Sequence, residues 1–410
     1  MATAQQIPDI LSPDFAADPY PAYRTMREDF PLIWHEPTQS YVLSRYEDVA
    51  RAFKDGAAYT TDNYDWQLEP VHGKTIVQLS GREHAVRRAL VAPAFRGSDL
   101  QEKFLPVIER NSRELIDGFR DRGEADLVDA FATRFPVNVI ADMLGLDKAD
   151  HDRFHGWYTS IVAFLGNLAA DPEVHAAGLR TRGEFADYMI PIIRERRENP
   201  GDDLLSTLCN AEIDGVRMSD EDIKSFCSLL LSAGGETTDK AISSTLTSLL
   251  AHPEQFAAVR EDRSLIGRAL AETLRHTPPV HMIMRQTATE VTVSGGTIPA
   301  GATVTCLIGA ANRDAERYRD PDRFDVFRDD LNATTAFSAA ADHLAFALGR
   351  HFCVGALLAK AEVETGLNQL LDDLPDLRFA DGFEPREQGV FTRGPVSLPV
   401  RFTPAAQSAT

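Results

Sequence analysis

The distribution of hydrophobic positions predicts a large helical body. Helical periodicity dominates residues 81–280, where prolines punctuate it, and it returns from Ala356 to Leu371. No Pro- or Gly-rich linker divides the chain, so residues 1–410 are expected to form a single domain. The fold class that follows is mainly α with minor β.

Short strands are predicted in three parts of the chain, which together form a small β-rich region. Residues 31–45 carry two short apolar runs around a polar turn and predict a hairpin, followed by a helix at 46–54. Strand character appears again at 286–307, between glycine-containing turns, and in the tail at 378–402. Residues 58–80 are polar, aromatic and aperiodic, which predicts a long loop.

Composition and charge narrow the classes of function. The chain has 62 acidic against 42 basic residues, and a net charge of −20 disfavours nucleic acid as a partner. Neither a signal peptide nor an apolar run long enough to span a bilayer is visible, so no membrane anchor is expected. The four cysteines show no CxxC spacing, which favours a reduced, cytoplasmic setting over a disulfide framework.

The strongest chemical signal is a cysteine flanked by glycines. Residues 346–355 read FALGRHFCVG and lie directly before the helix predicted from Ala356. Glycine allows close backbone approach to a ligand, and the start of a helix favours a thiolate over a thiol. Cys353 is therefore a candidate metal ligand, whereas Cys209, Cys227 and Cys306 are predicted to be buried and inert.

This segment resembles the cysteine loop of the cytochrome P-450 superfamily, Phe-x-x-Gly-x-His/Arg-x-Cys-x-Gly. Bacterial members usually have glycine at the position of Ala347, which is a mild departure. The resemblance implies haem b bound in the loop between Phe346 and Gly355, with Cys353 as the axial ligand of the iron. It also implies the family's triangular helical prism with a small β-rich region.

A second segment, LSAGGETT at residues 231–238, lies within an otherwise apolar predicted helix. Adjacent glycines are unfavourable inside a helix, at roughly 1 kcal/mol each relative to alanine, so they need a packing or a functional reason. The resemblance implies that this helix covers the distal face of the haem, with Ala233 and Gly234 against the cofactor. It makes Glu236 and Thr237 the acid–alcohol pair that relays protons for O–O cleavage.

Weaker motifs follow in the family's order. Glu272 and Arg275 share a helix face at i,i+3 spacing, and the resemblance makes them a structural pair with Arg323 as the third member. His84 and Arg88, at i,i+4 spacing, resemble one pair of ligands for the haem propionates. The resemblance adds Arg285 and His351 as further propionate ligands, since carboxylates suit such donors.

The topology of the family also implies a largely apolar substrate pocket. His281 is its polar candidate, although a packed or solvated histidine explains this residue equally well. A hydrophobic terpenoid, steroid or polyketide is the expected substrate. The residues implied as pocket walls are Tyr64, Trp66, Ser232, Val280, His281, Met282, Ile283 and Phe391.

The function implied by the resemblance is haem-dependent hydroxylation with O2. Electrons would come from a separate ferredoxin and ferredoxin reductase, docking near Arg82, Arg87 and Arg350. Three alternatives remain: a peroxide-driven enzyme of the same fold, a non-catalytic haem or recruitment protein, and a zinc protein using His343, His351 and Cys353.

Overall fold

The structure, a computed structural model, describes residues 7–404. About half of the chain is helical, and strands are few and short. The helices are α1 Pro13–Ala17, α2 Tyr20–Asp29, α3 Tyr46–Lys54, α4 Tyr64–Gln67, α5 Glu69–His72, α6 Gly81–Val91, α7 Leu105–Asp117, α8 Arg134–Met143, α9 His151–Leu165, α10 Pro172–Glu198, α11 Leu204–Asn210, α12 Asp220–Ala251, α13 Pro253–Glu261, α14 Ile266–His276, α15 Ile308–Ala311 and α16 Ala356–Asp373.

The strands are β1 Leu32–His35, β2 Ser40–Leu43, β3 Tyr59–Thr60, β4 Glu124–Asp126, β5 Glu212–Ile213, β6 Val216–Arg217, β7 Met282–Thr287, β8 Val291–Val293, β9 Gly296–Ile298, β10 Thr303–Leu307, β11 Arg378–Phe379, β12 Glu387–Gln388, β13 Gly394–Pro395 and β14 Pro399–Arg401. The hairpin expected at 31–45 is confirmed as the antiparallel pair β1 and β2. The helix expected after it is α3.

The chain divides into two compact units. The first holds the described residues 7–63, 268–353 and 386–396, and the second holds 64–267, 354–385 and 397–404. The single domain expected from the sequence stays a prediction, and each unit is described by itself.

The first unit is built on a five-stranded sheet in the order β1-β2-β10-β7-β3. β10 runs parallel to β2, and the other neighbours are antiparallel. Apolar side chains of α3, β10 and the segment before the cysteine loop form a core beside this sheet, including Phe53, Val304 and Leu344. This core fixes the start of the cysteine loop in place.

The second unit is organised around α12, the longest helix. Ser219 and Asp222 form a capping box at its start, and Asp220 and Glu221 add negative charge where the helix dipole favours it. α12 packs against α8, α9, α10 and α16, and most of its residues are buried. A helix packed on several sides buries residues around most of its circumference, and in α12 these include serines and threonines as well as apolar residues.

Two expectations about the strands and loops are wrong in part. The loop expected at 58–80 contains β3 and the one-turn helices α4 and α5. The tail strands do not join the hairpin: β11 and β14 form a separate sheet with β4, while β12 pairs with β13. β4 has only three residues, too few for its alternation to stand out in the sequence. None of the helices within residues 7–404 is long and apolar enough to cross a lipid bilayer.

We expect the unfolding free energy to fall as the pH drops below about 7, with His72 as one cause. Burial lowers the pKa of His72 to about 3, so the unfolded chain takes up a proton that the folded chain refuses. With an unfolded pKa near 6.5, this residue alone costs about 1 kcal/mol at about pH 5.5. Urea unfolding at about pH 7.5 and about pH 5.5 should show a smaller pH effect in His72→Gln. The matched variant of the exposed His175, His175→Gln, should leave the difference unchanged.

Candidate active site

Residues 346–353 of the cysteine loop, Cys353 among them, lie in the first unit. Cys353 is exposed, whereas the other three cysteines are buried. The Cys353 N–H donates to the Phe346 carbonyl at 3.0 Å, which closes the loop. Ala347 and Gly349 have φ of 54° and 69°, so two left-handed residues turn the chain.

The backbone of α3 lies close to Gly349, as expected for a glycine at this position of the loop. A Cβ at Gly349 would lie 2.9 Å from the Phe53 carbonyl oxygen, so a side chain there would push the loop off α3. Burial raises the pKa of Cys209 to about 11 and of Cys306 to about 12, and it raises the pKa of Cys227 further. These thiols stay protonated at neutral pH, which leaves Cys353 as the candidate for a metal-bound thiolate.

Two of the expected propionate ligands are in the same unit. Arg285 on β7 is 4% exposed, donates to the Met284 carbonyl at 2.8 Å and lies over the ring of Phe53 at 5.1 Å. His351 is half-buried, in the short turn that precedes Cys353. Arg285, His351 and Cys353 therefore place a guanidinium, an imidazole and a thiol in the first unit.

The structure brings Glu272 and Arg275 together as an ion pair, but the third residue of the group is Arg328 and not Arg323. Arg275 donates both Nε and Nη2 to the Glu272 carboxylate at 2.8 Å, and the side chains of both residues are fully buried. Arg328, 5% exposed, completes the group with Nε at 3.2 Å from Glu272. The Arg323 side chain is 67% exposed and pairs with Asp325, and it is the Arg323 backbone carbonyl that accepts from Arg275.

The expected acid–alcohol pair lies on α12 in the second unit. Thr237 donates its hydroxyl hydrogen to the Ala233 carbonyl at 2.7 Å, which leaves Oγ1 able to accept. Ala233 is exposed and Gly234 is half-buried, although Ser232 before them and Gly235 after them are buried. The middle of an otherwise enclosed helix thus opens at Ala233, which suits a flat ligand lying against the helix.

The glycine pair on α12 has a packing reason. A Cβ at Gly234 would lie 2.7 Å from Cδ1 of Ile140, and a Cβ at Gly235 would lie 2.9 Å from the ring of Tyr158. Helix packing, the alternative left open by the sequence, is therefore part of the explanation. The hydroxyl of Tyr158 donates to Glu236, a contact that no motif in the sequence indicates.

The remaining candidates of the second unit are on or near α6. His84 is buried and Arg88 half-buried, at the i,i+4 spacing that places them on one face of α6. Arg87 does not supply a free positive charge, because it is mostly buried and pairs with Asp222 at 2.9 Å. Arg82 is 85% exposed and lies 3.4 Å from Asp214.

The expected pocket residues differ in their surroundings. Val280, Ile283 and Phe391 of the first unit are half-buried, and so is Tyr64 of the second. Trp66 is 57% exposed, and Ser232 is buried and donates to the Leu229 carbonyl at 3.2 Å.

His281 and Met282 do not fit the expectation of pocket walls. His281 is 1% exposed, and its Nδ1 lies 2.8 Å from the Tyr23 hydroxyl. Burial lowers the pKa of His281, so this is the packed, neutral histidine that the sequence left as an alternative. Met282 is fully buried, because alternation along β7 turns it away from the face of Ile283.

The chemistry of these donors fits haem. An exposed thiol suits the iron, and Arg285, His351, His84 and Arg88 are the residue types that bind carboxylates. The zinc alternative finds no support, since nowhere in residues 7–404 do three or more His, Cys, Asp or Glu side chains converge as metal ligands.

Comparison with known proteins decides the family. The family model described as Cytochrome P450 matches residues 20–374. The chain belongs to the cytochrome P450 family. It is a P450 monooxygenase, and haem is the cofactor that this family implies.

Individual P450s resemble this chain over nearly its whole length. It is 40% identical to pulcherriminic acid synthase of Bacillus subtilis, covering 98% of this chain and 99% of that protein. The structure of the P450 CYP109Q5 from Chondromyces apiculatus superposes with a TM-score of 0.86 at 33% identity, covering 98% of this chain and 99% of that one. CYP109E1 from Bacillus megaterium, solved in complex with testosterone, gives 0.83 at 30%, covering 94% and 99%. The mainly α fold with small sheets is thereby confirmed.

Proposed function

We propose that this P450 binds haem b through Cys353 and oxygenates a hydrophobic small molecule with O2. The observation that carries the proposal is Cys353 itself, an exposed cysteine in a loop whose fixed positions follow the P450 pattern. His84, Arg88, Arg285 and His351 would hold the propionates. Phe346, Gly355, Ala233 and Gly234 would lie against the macrocycle. Bound haem supplies the activation of O2, and the protein supplies orientation, protons and exclusion of water.

Glu236 and Thr237 are proposed to deliver protons. The Thr237 hydroxyl hydrogen is engaged by the Ala233 carbonyl, so Oγ1 is oriented to accept a hydrogen bond on its outer side. Glu236 is only 13% exposed, close enough to solvent to exchange protons and enclosed enough to keep its position. This pair favours use of O2 over a peroxide-driven reaction, because peroxide already carries the protons that O2 must acquire. It also disfavours a non-catalytic haem protein.

The substrate is proposed to be apolar, such as a terpenoid, steroid or polyketide. The residues that the family resemblance implies as pocket walls, among them Val280, Ile283, Phe391 and Tyr64, are mostly hydrophobic. Testosterone, bound by the similar CYP109E1, and the compound converted by pulcherriminic acid synthase are the first candidates. Electrons are proposed to come from a ferredoxin and a ferredoxin reductase in the cytoplasm. Arg350 and Arg82 are the exposed cations to test for docking by charge reversal, with a slower reduction rate expected.

A substrate screen by optical spectroscopy tests the proposal. Steroids, terpenoids, polyketides and the pulcherriminic acid precursor are added to the haem-loaded protein, and the low-spin to high-spin shift is recorded. At least one apolar class is expected to shift the spectrum, with a Kd in the micromolar range, about −8 kcal/mol. The proposal is contradicted if none of these compounds shifts the spectrum of the protein, or if the protein converts substrate only when peroxide is supplied.

A further inference from the structure

The carboxylate of Glu236 is held by a tyrosine from a neighbouring helix. Tyr158, on α9, donates its hydroxyl to Oε2 of Glu236 on α12. Tyr158 is 4% exposed, and burial together with the negative charge of Glu236 raises its pKa. The hydroxyl therefore keeps its proton at neutral pH and acts as a donor to the carboxylate.

The other carboxylate oxygen faces a lysine. Nζ of Lys240, one turn further along α12, lies 3.8 Å from Oε1 of Glu236 and 3.2 Å from Asp239. Asp239 is 2% exposed at its side chain and accepts from Thr133 at 3.1 Å, and burial raises its pKa to about 6. Glu236 is thus oriented from both oxygens, by a neutral donor on one and a cation on the other.

Gly235 is what allows the tyrosine to reach this position. A Cβ at Gly235 would lie 2.9 Å from Cε2 and 3.1 Å from Cδ2 of Tyr158, and 3.1 Å from Cγ2 of Val137. These are rigid ring and core atoms, so a side chain at Gly235 would displace the ring and its hydroxyl with it. The position of the Tyr158 ring therefore depends on the absence of a side chain at residue 235.

We infer that Tyr158 is a positioning residue for proton delivery, which holds the Glu236 carboxylate beside Thr237 and depends on Gly235 to do so. The inference rests on the proposed function, in which Glu236 supplies protons. A proton donor works only within a narrow range of positions, and a glutamate free to rotate spends most of its time outside that range. Loss of one hydroxyl should therefore slow proton delivery without removing the acid.

The test compares Tyr158→Phe, Glu236→Gln and the double variant in the haem-loaded enzyme. With ferredoxin, ferredoxin reductase, NADPH and testosterone as the probe, the rate of O2-dependent NADPH oxidation and its solvent isotope effect are measured. Glu236→Gln is expected to lose at least about 10-fold, and Tyr158→Phe roughly 3- to 10-fold, each with a larger isotope effect. The double variant should be no slower than Glu236→Gln alone, because Tyr158 acts through that residue. Reduction by ferredoxin without O2 should be unchanged in all three.

Two controls separate positioning from general damage. Tyr188 donates to Asp150 at 2.7 Å, a similar tyrosine–carboxylate pair that includes no residue of α12, so Tyr188→Phe should keep the full rate. Gly235→Ala retains both Tyr158 and Glu236 but moves the ring, and it should reproduce the loss in Tyr158→Phe. The urea midpoints of Tyr158→Phe, Glu236→Gln and their double variant give a readout that is independent of activity. If Tyr158 and Glu236 interact, the shift of the double variant should differ from the sum of the two single shifts.

The failures can be told apart. A full rate in Tyr158→Phe alongside a slow Glu236→Gln overturns the inference and leaves the proposed function standing. Multiplying losses in the double variant also overturn it, because they indicate independent damage. A full rate in Glu236→Gln refutes both the assignment of Glu236 as the proton donor and that of Tyr158 as its positioning residue. A wild-type protein that binds haem but consumes no NADPH under O2, with testosterone or with any compound that shifts its spectrum, contradicts the proposed function itself.

Discussion

Replacing Glu272 by glutamine is expected to destabilise the protein by about 3–5 kcal/mol, although the substitution lies outside the proposed haem ligands. The carboxylate of Glu272 is the shared counter-charge of two buried guanidinium groups, those of Arg275 and Arg328. Glutamine preserves shape and one acceptor, but it removes the negative partner of Arg275 in a low-dielectric interior and leaves Arg328 with Asp330 alone, at 2.7 Å. The midpoint of urea unfolding, followed by circular dichroism, measures the effect.

The exposed Arg323 provides the control that makes this prediction specific. Arg323→Ala should change the unfolding free energy by about 0.5 kcal/mol or less, as surface substitutions usually do. Arg328→Ala should instead approach the loss seen for Glu272→Gln, since it strips Glu272 of its second partner. Equal, small effects of Arg328→Ala and Arg323→Ala would show that the assignment of Arg328 is wrong.

The second large effect is expected from Cys353→Ala. Loss of groups that only support a metal ligand typically costs 10- to 100-fold, so loss of the ligand itself should cost more than about 100-fold in O2-dependent turnover. The optical spectrum should lose the features of sulfur ligation at the same time. Both are measured on purified, haem-reconstituted protein.

Cys306→Ala is the matched comparison for that experiment. Cys306 is fully buried on β10, and its raised pKa keeps it a thiol. We expect an unchanged spectrum and a stability loss of about 1 kcal/mol. Equal spectral changes in the two variants would refute the assignment of Cys353 as the ligand.

Features that depend on local sequence could be predicted. The hairpin of β1 and β2 and the helix α3 follow from the alternation and periodicity of a short stretch. The cysteine loop could be predicted equally well, because its glycines, its cysteine and the helix after it are contiguous in the sequence. The burial of Cys209, Cys227 and Cys306 follows from the usual behaviour of free cysteines and is confirmed.

Features that depend on the path of the chain in space could not be predicted. Arg323 and Arg328 both come after α14 in the chain, and the sequence gives no reason to choose between them as the partner of Glu272. Only the folded segment around them shows that the side chain of Arg328 reaches Glu272 while that of Arg323 is exposed. The bond from Tyr158 to Glu236 joins residues 78 positions apart, and no periodicity links them. The glycine at 235 was the one local sign of that contact, since a mid-helix glycine often marks close packing.

The most direct test of the account is the absorption spectrum of the purified wild-type protein, reduced and treated with carbon monoxide. Ligation of haem iron by the Cys353 thiolate predicts the red-displaced band typical of sulfur coordination, and its disappearance in Cys353→Ala. A wild-type spectrum without that band, or a band that survives the substitution, would contradict the claim that this sulfur binds the iron.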